Sequence, residues 1–161
     1  MYYQVELGYL YSTISIILDP DRVVRKKEEE NNKQIELAIE KGITNGENLD
    51  ENITRGQLAV MLGRDMYGTE LTYQEYIEKT EIDGIRNGKR ENDNVVRYEA
   101  MIMLARYIVP LATRTFARDH QLIEALIKVG VTNGDNQDEL ATRKEGILLV
   151  IRSIIVKDQR K

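Results

Sequence analysis

GITNGENLDENITRGQLAVMLGR, residues 42–64, is the stretch that decides the fold, because the chain contains it three times in altered form. The second copy, residues 84–106, reads GIRNGKRENDNVVRYEAMIMLAR, and the third, residues 130–152, reads GVTNGDNQDELATRKEGILLVIR. These stretches are named the first, second and third segments. They align without gaps, and their first glycines lie 42 and 46 residues apart. A repeat of this length predicts small structural units that bury their apolar faces against one another.

Five positions carry the same residue in all three segments, and four of them are glycine or arginine. Glycine stands at the first and fifth places, and arginine stands at the fourteenth and twenty-third places. The glycines are Gly42, Gly46, Gly84, Gly88, Gly130 and Gly134, and the arginines are Arg55, Arg64, Arg97, Arg106, Arg143 and Arg152. Four markers at fixed spacing, three times over, indicate a true internal repeat.

Each segment predicts the end of one helix, a turn and the start of a second helix. Apolar residues recur at helical spacing before the first glycine, as in Ile35, Ala38 and Ile39. Glycine readily takes the left-handed conformation that stops a helix, and an Asn-Gly pair such as Asn45-Gly46 is typical of a tight turn. The second helix should end near the later arginine of each segment, where a cation suits the helix terminus.

The starts of the second helices carry capping signals. Thr54 with Gln57, and Thr142 with Glu145, fit the capping box, in which a hydroxyl accepts an early backbone N–H of the helix. In the second segment Val96 replaces the threonine, so that helix either lacks the cap or starts one or two residues earlier with Asn94 as its cap. Outside the segments, Thr72 with Glu75 offers one more capping box.

These patterns predict an all-α fold built from three helix–loop–helix repeats, preceded by a short N-terminal extension. The repeat domain should span residues 34–161, with units at about 34–66, 72–108 and 114–156. Residues 1–33 should form an extension or linker, in which residues 1–25 favour a strand or an amphipathic helix and residues 26–33 a solvated helix start or linker. The first helix of the third unit should begin between Thr113 and His120.

The composition excludes several classes of protein. Acidic residues outnumber basic ones by 27 to 23, which argues against a general nucleic-acid binder. There is no cysteine, so disulfides and thiolate sites are excluded. His120 is the only histidine and has no catalytic or metal-ligand partner at a recognisable spacing. No nucleotide-binding glycine loop or His-Glu metal motif occurs. We therefore expect no enzyme activity, no cofactor and no metal site.

The N-terminal apolar stretch from Leu7 to Leu18 is short and is interrupted by Gly8 and by serine and threonine residues. It is too polar to span a bilayer, and no basic region precedes it, since the first charge is Glu6. We expect neither a membrane span nor a signal peptide in this sequence.

The repeated motifs resemble the S-layer homology family. The matching residues are GITNG with ITRGQ, GIRNG with VVRYE, and GVTNG with ATRKE, over roughly residues 34–156. The loop is short, as in the variant found in wall-associated and phage lytic proteins. The resemblance implies three repeats around a pseudo-threefold axis that bind secondary cell-wall polysaccharide of Gram-positive bacteria, often through pyruvylated sugars. It also implies that the arginine of the Thr-Arg-x-Glu motif contacts the acidic sugar group.

The candidate ligand-binding residues are the arginines that open the second helices, Arg55, Arg97 and Arg143. An arginine at a helix start can hold a carboxylate in two parallel hydrogen bonds. The alternative is that each arginine pairs with an acidic residue of a neighbouring unit and fixes the packing. The turn glycines Gly46, Gly88 and Gly134 are further candidates, although backbone geometry is the simpler explanation for them.

Two functions remain open at this point. One is a non-catalytic module that binds acidic wall polysaccharide, located outside the cell, at the cell wall or on a phage virion. The other is a protein-interaction or virion-assembly role, in which the same scaffold binds a protein partner or forms a homo-oligomer.

Overall fold

A computed structural model describes residues 20–110, 114 and 117–160, and within them the chain is all-α, as the repeat pattern predicts. These residues form six helices: α1 Pro20–Glu40, α2 Arg55–Tyr67, α3 Tyr73–Ile82, α4 Arg97–Ile108, α5 Asp119–Lys128 and α6 Arg143–Asp158. Contacts divide the chain into two compact units, residues 1–33 and residues 34–161. The strand or helix expected for residues 1–25 lies outside the described residues as far as residue 19.

Helix α1 begins well before the first repeat. The linker alternative for residues 26–33 is wrong there, because α1 runs without interruption from Pro20 to Glu40. Pro20 suits the first turn of a helix, and no glycine or further proline interrupts the chain before Gly42. Residues 21–30 are all exposed, and the buried face of α1 begins only at Ile35. A polar helix of this kind carries no apolar periodicity that would have predicted it.

Helices α1, α3 and α5 each end two residues before the first glycine of a segment, so the glycine stops the helix as predicted. Gly42, Gly84 and Gly130 have φ angles of +70°, +66° and +77°. In each case the next residue donates its N–H back across the turn, from Ile43 to Ala38 O at 2.9 Å, from Ile85 to Thr80 O at 2.9 Å and from Val131 to Leu126 O at 3.0 Å. This is the helix ending in which a left-handed residue lets the chain satisfy the last carbonyls.

The predicted capping boxes form at Thr54, Thr142 and Thr72. Helix α4 begins at Arg97 with Val96 as its N-cap and no side-chain cap, so the earlier start capped by Asn94 is wrong. The second helices also continue past their later arginines. Helix α2 ends at Tyr67, α4 at Ile108 and α6 at Asp158.

The three segments meet through their loops, immediately before the second helices. Ile53 N donates to Ala141 O at 3.0 Å, Val95 N to Ile53 O at 3.0 Å, and Ala141 N to Val95 O at 2.9 Å. These three hydrogen bonds form a closed ring, since each segment donates to one neighbour and accepts from the other. All three side chains are fully buried. Single-residue antiparallel bridges flank the ring at Asn52 with Thr142, Thr54 with Asn94, and Val96 with Leu140.

One core of apolar side chains includes members of all three segments. The apolar spacing before the first glycines also predicted core positions for Ile39 and, in the third unit, for Ile127. That prediction is wrong, because these side chains are 43% and 41% exposed. In α3, Thr80 takes a core position although it is polar. It is fully buried, and its hydroxyl donates to Tyr76 O at 2.8 Å, which satisfies the polar group without an external partner.

Among the described residues, no helix combines the length and the apolar character that crossing a bilayer requires.

Candidate anion-binding clefts at the helix starts

Each of the three candidate arginines is the first residue of a helix, and its backbone ties that helix to a second segment. The N–H of Arg55 donates to Asp93 O at 3.1 Å, that of Arg97 to Glu139 O at 2.9 Å, and that of Arg143 to Glu51 O at 2.7 Å. The first segment thus contacts the second, the second contacts the third, and the third contacts the first. Each arginine side chain therefore stands at a junction between two segments.

Arg55 and Arg97 are occupied by carboxylates of the neighbouring segment. The guanidinium of Arg55 binds both carboxylate oxygens of Glu99, and that of Arg97 binds Glu145. Arg97 also donates to Glu139 at 2.5 Å. The Arg55 and Arg97 side chains are only 11% and 17% exposed. For these two arginines the ion-pairing alternative describes the geometry.

Electrostatics at the Arg97 pair follow from this geometry. The hydrogen bond to Glu145 raises the pKa of Arg97, against the opposing effect of burial. Burial by itself raises the pKa of Glu145, but hydrogen bonds from Arg97 and from the backbone N–H of Thr142 outweigh it and lower that pKa. Both groups are therefore held in their charged forms.

Arg143 differs from the other two arginines. The position that corresponds to Glu99 and Glu145 is Gln57 in the first segment. Nη2 of Arg143 donates to Asn45 Oδ1 at 3.2 Å, and no carboxylate of the described residues forms an ion pair with this arginine. Its Nε is buried and has no hydrogen-bond partner. Arg143 is thus the one candidate whose charge is not balanced by a direct ion pair within the described part of the chain.

A cleft opens beside Arg143, with a volume of about 230 Å³, and it is named the Arg143 cleft. Its polar lining comes from Thr44, Asn45, Gln57, Arg64, Tyr73 and Arg143, and its apolar lining from Ile43, Val60 and Met61. Two of these residues are arginines and none is acidic. Burial and the carboxylate of Glu91 raise the pKa of Tyr73, with Arg86 opposing them, so its hydroxyl remains a donor at neutral pH.

A second cleft of the same volume, named the Arg55 cleft, is lined largely by the corresponding positions of the second segment. Residues at corresponding positions of the two clefts are Arg55 and Arg143, Arg86 and Thr44, Glu99 and Gln57, and Arg106 and Arg64. Asp119 completes its charged lining. The two clefts are therefore alike in position but not in charge, because the Arg55 cleft already contains two carboxylates beside its arginines.

The turn glycines Gly46, Gly88 and Gly134 have φ angles of +76°, +73° and +78°, which L side chains rarely adopt. A Cβ at Gly46 would lie 2.6 Å from Ile39 Cδ1, and one at Gly134 would lie 2.6 Å from Ile127 Cδ1. Backbone conformation and these close contacts account for the glycines without any ligand, and ligand contact at these positions stays a prediction.

The residues that sequence reasoning missed are those that decide the charge of each cleft. Arg64, expected at a helix end or as a partner between helices, donates from Nη1 to Ile43 O at 3.1 Å and lines the Arg143 cleft. Arg86 is buried and lines the Arg55 cleft, although nothing in its segment marked it. Gln57 is visible in the sequence as the uncharged residue where the other two segments have glutamate, but its effect on the charge of a cleft depends on the packing of the segments.

Among the described residues, no group of three or more acidic residues or histidines is placed to hold a metal ion. His120 is exposed, as expected of a residue at a helix start. In comparisons with known proteins, no family model matches the chain, and no curated protein sequence matches it.

Proposed function

We propose that residues 34–161 form a pseudo-threefold domain of three helix–loop–helix repeats that binds acidic polysaccharide of the Gram-positive cell wall without catalysing a reaction. The ring of hydrogen bonds through Ile53, Val95 and Ala141 supports the threefold arrangement, because each segment stands in the same relation to the next. The resemblance to S-layer homology modules supports this class of ligand.

One observation carries the proposal: the Arg143 cleft combines two guanidinium groups with neutral hydrogen-bonding side chains and contains no carboxylate. A hydrogen bond to a charged group contributes roughly 1.5–3 kcal/mol, about twice a neutral one. A partly enclosed cleft strengthens such contacts relative to an exposed surface, because it excludes part of the solvent. An anionic sugar is a ligand of the right charge for this cleft.

The test is a pull-down on purified Gram-positive cell walls, with and without prior removal of the wall polysaccharide. We expect binding to intact walls that is lost from the stripped walls. Arg143→Ala should lower binding at least about tenfold, the effect of losing one charge-assisted contact. Arg160→Ala, which removes an exposed arginine near the end of the chain, is the matched control and should bind normally. Normal binding of the triple variant Arg55→Ala, Arg97→Ala, Arg143→Ala would contradict the proposal.

A second candidate function is assembly with further copies of this chain, for example in a virion. It is favoured by apolar side chains on exposed helix surfaces, since Val24 is 65% and Ile82 is 81% exposed. Light scattering coupled to size-exclusion chromatography distinguishes the two functions. A large homomeric assembly that disappears when residues 1–25 are deleted would favour this role, and a monomer with normal wall binding would contradict it.

A further inference from the structure

The three junctions can be compared with one another, because each has an arginine at the same position of its segment. Glu99 binds Arg55, Glu145 binds Arg97, and Gln57 stands where a third glutamate would meet Arg143. The first two junctions therefore show which chemical group this arginine position accepts, and that group is a carboxylate. At the third junction the arginine is present and the protein's own carboxylate is replaced by an amide.

The hydrogen bonds of Gln57 sharpen this comparison. Glu145 uses Oε2 to accept from Thr142 N at 2.9 Å and Oε1 to bind Arg97. Gln57 uses its single oxygen, Oε1, to accept from Thr54 N at 3.0 Å. Because that oxygen accepts the N–H of Thr54, the amide NH₂ of Gln57 lies where Glu145 has the oxygen that binds an arginine. The Arg143 cleft therefore gathers donors from Gln57 and Arg143 with no acidic acceptor in its lining.

We propose that the Arg143 cleft binds a single carboxylate group of an acidic sugar, and that Gln57 is the specificity-determining residue that keeps this one cleft open. This inference rests on the proposed function and goes beyond it in giving Gln57 the deciding role and in restricting binding to one of the three junctions. Arg55 and Arg97 have internal carboxylates and bind no sugar. The chain consequently has one binding site despite its three repeats.

The deciding variant is Gln57→Glu, which changes one amide to a carboxylate of nearly the same shape. Glutamate is compatible with this helix start, because Glu145 makes the same capping contact to Thr142. The new carboxylate would pair with Arg143, as Glu145 pairs with Arg97. The matched control is Gln121→Glu, since Gln121 caps α5 in the same way, accepting from Arg118 N at 2.9 Å, and lines neither cleft.

The experiment is an equilibrium titration with soluble polysaccharide released from Gram-positive walls, either intact or with its carboxyl groups reduced to alcohols. Circular dichroism and thermal unfolding establish that each variant is folded. We expect the wild-type chain and Gln121→Glu to bind the intact polymer, and reduction of its carboxyls to abolish binding. Gln57→Glu and Arg143→Ala should each weaken binding at least about tenfold. Arg97→Ala should leave the affinity unchanged.

Two results would overturn the inference while leaving the proposed function in place: wild-type affinity in Gln57→Glu, or a loss in Arg97→Ala as large as that in Arg143→Ala. Equal binding of the reduced polymer would overturn the inference and also the argument that the proposed function draws from an anionic ligand. Absence of any binding by the wild-type chain would instead refute the proposed function, and this inference with it.

Discussion

At the scale of single residues, Glu145 shows how one carboxylate stabilises both a helix start and a junction between segments. It accepts from the backbone N–H of Thr142 and from the guanidinium of Arg97. Burial alone raises its pKa, but these hydrogen bonds lower that pKa below the ordinary value of 4.5. In the unfolded chain the hydrogen bonds are lost, so the folded state binds a proton less readily than the unfolded state does.

The sign of the pH dependence follows from that difference. The stability that the charged carboxylate contributes is fully present above pH 4.5 and is lost as the pH falls through the depressed folded pKa. Glu145→Gln lacks this contribution at every pH. We therefore expect the wild type to have a higher free energy of unfolding than Glu145→Gln at neutral pH. This gap between the two free energies should become smaller as the pH is lowered.

Urea unfolding of both chains across the acid range measures this gap. Glu124→Gln, on an exposed position of α5, is the control and should show no such narrowing. A gap that stays constant with pH would mean that Glu145 is not held ionised by its partners.

The same residues show how far a single sequence can predict a site. The arginine positions followed from spacing within a segment, because a helix start and its cap are local features. Their partners did not follow, since Arg55 meets Glu99 and Arg97 meets Glu145 across 44 and 48 residues of chain. Which carboxylate faces which arginine depends on how the segments pack, and no spacing within one segment encodes that.

At the scale of elements, the three second helices differ in how they begin. Helices α2 and α6 have threonine N-caps, whereas Val96 leaves the first turn of α4 without a side-chain cap. Val96 already has the extended backbone that an N-cap requires, with φ of −78° and ψ of 153°. A hydroxyl at this position can therefore reach an unsatisfied N–H of the helix without a change in the backbone.

We expect Val96→Thr to raise the free energy of unfolding by about 0.5–1 kcal/mol, and Thr142→Ala to lower it by about 1 kcal/mol. Both changes are measured by urea unfolding monitored by circular dichroism. Val96→Ser separates the hydroxyl from the β-branch and should retain most of the gain. A destabilised Val96→Thr would show that the half-buried valine contributes more through packing than the missing cap would contribute through its hydrogen bond.

Elements differ in how well the sequence predicts them, and the reason is physical. Helix endings at Gly42, Gly84 and Gly130 were predictable, because a left-handed residue followed by an Asn-Gly turn is a strong local signal. The start of α1 at Pro20 was not, since residues 21–30 are all exposed and this part of the helix shows no apolar period. Ile39 was misplaced because it packs over Gly46 at the surface instead of entering the core, a contact that depends on the fold of the turn.

At the scale of the whole molecule, the ring of hydrogen bonds couples the three segments. Ile53, Val95 and Ala141 each donate to one segment and accept from another, so opening any one of them disturbs both junctions of its segment. Their side chains are fully buried at the same place. A single repeat cannot bury its apolar face alone, so the three should unfold as one cooperative unit.

Native-state hydrogen exchange tests this cooperativity. The amides of Ile53, Val95 and Ala141 should exchange with one common opening free energy, equal to the global free energy of unfolding. The exposed amide of Glu47, which donates only to the Asn45 side chain, serves as the reference for local opening and should exchange far faster.

Ile53→Ala, which removes most of a fully buried side chain, should lower the free energy of unfolding by about 2–4 kcal/mol and lower all three opening free energies together. If Val95 or Ala141 kept its protection in that variant, the segments would be folding independently and the closed ring would not be what holds them together.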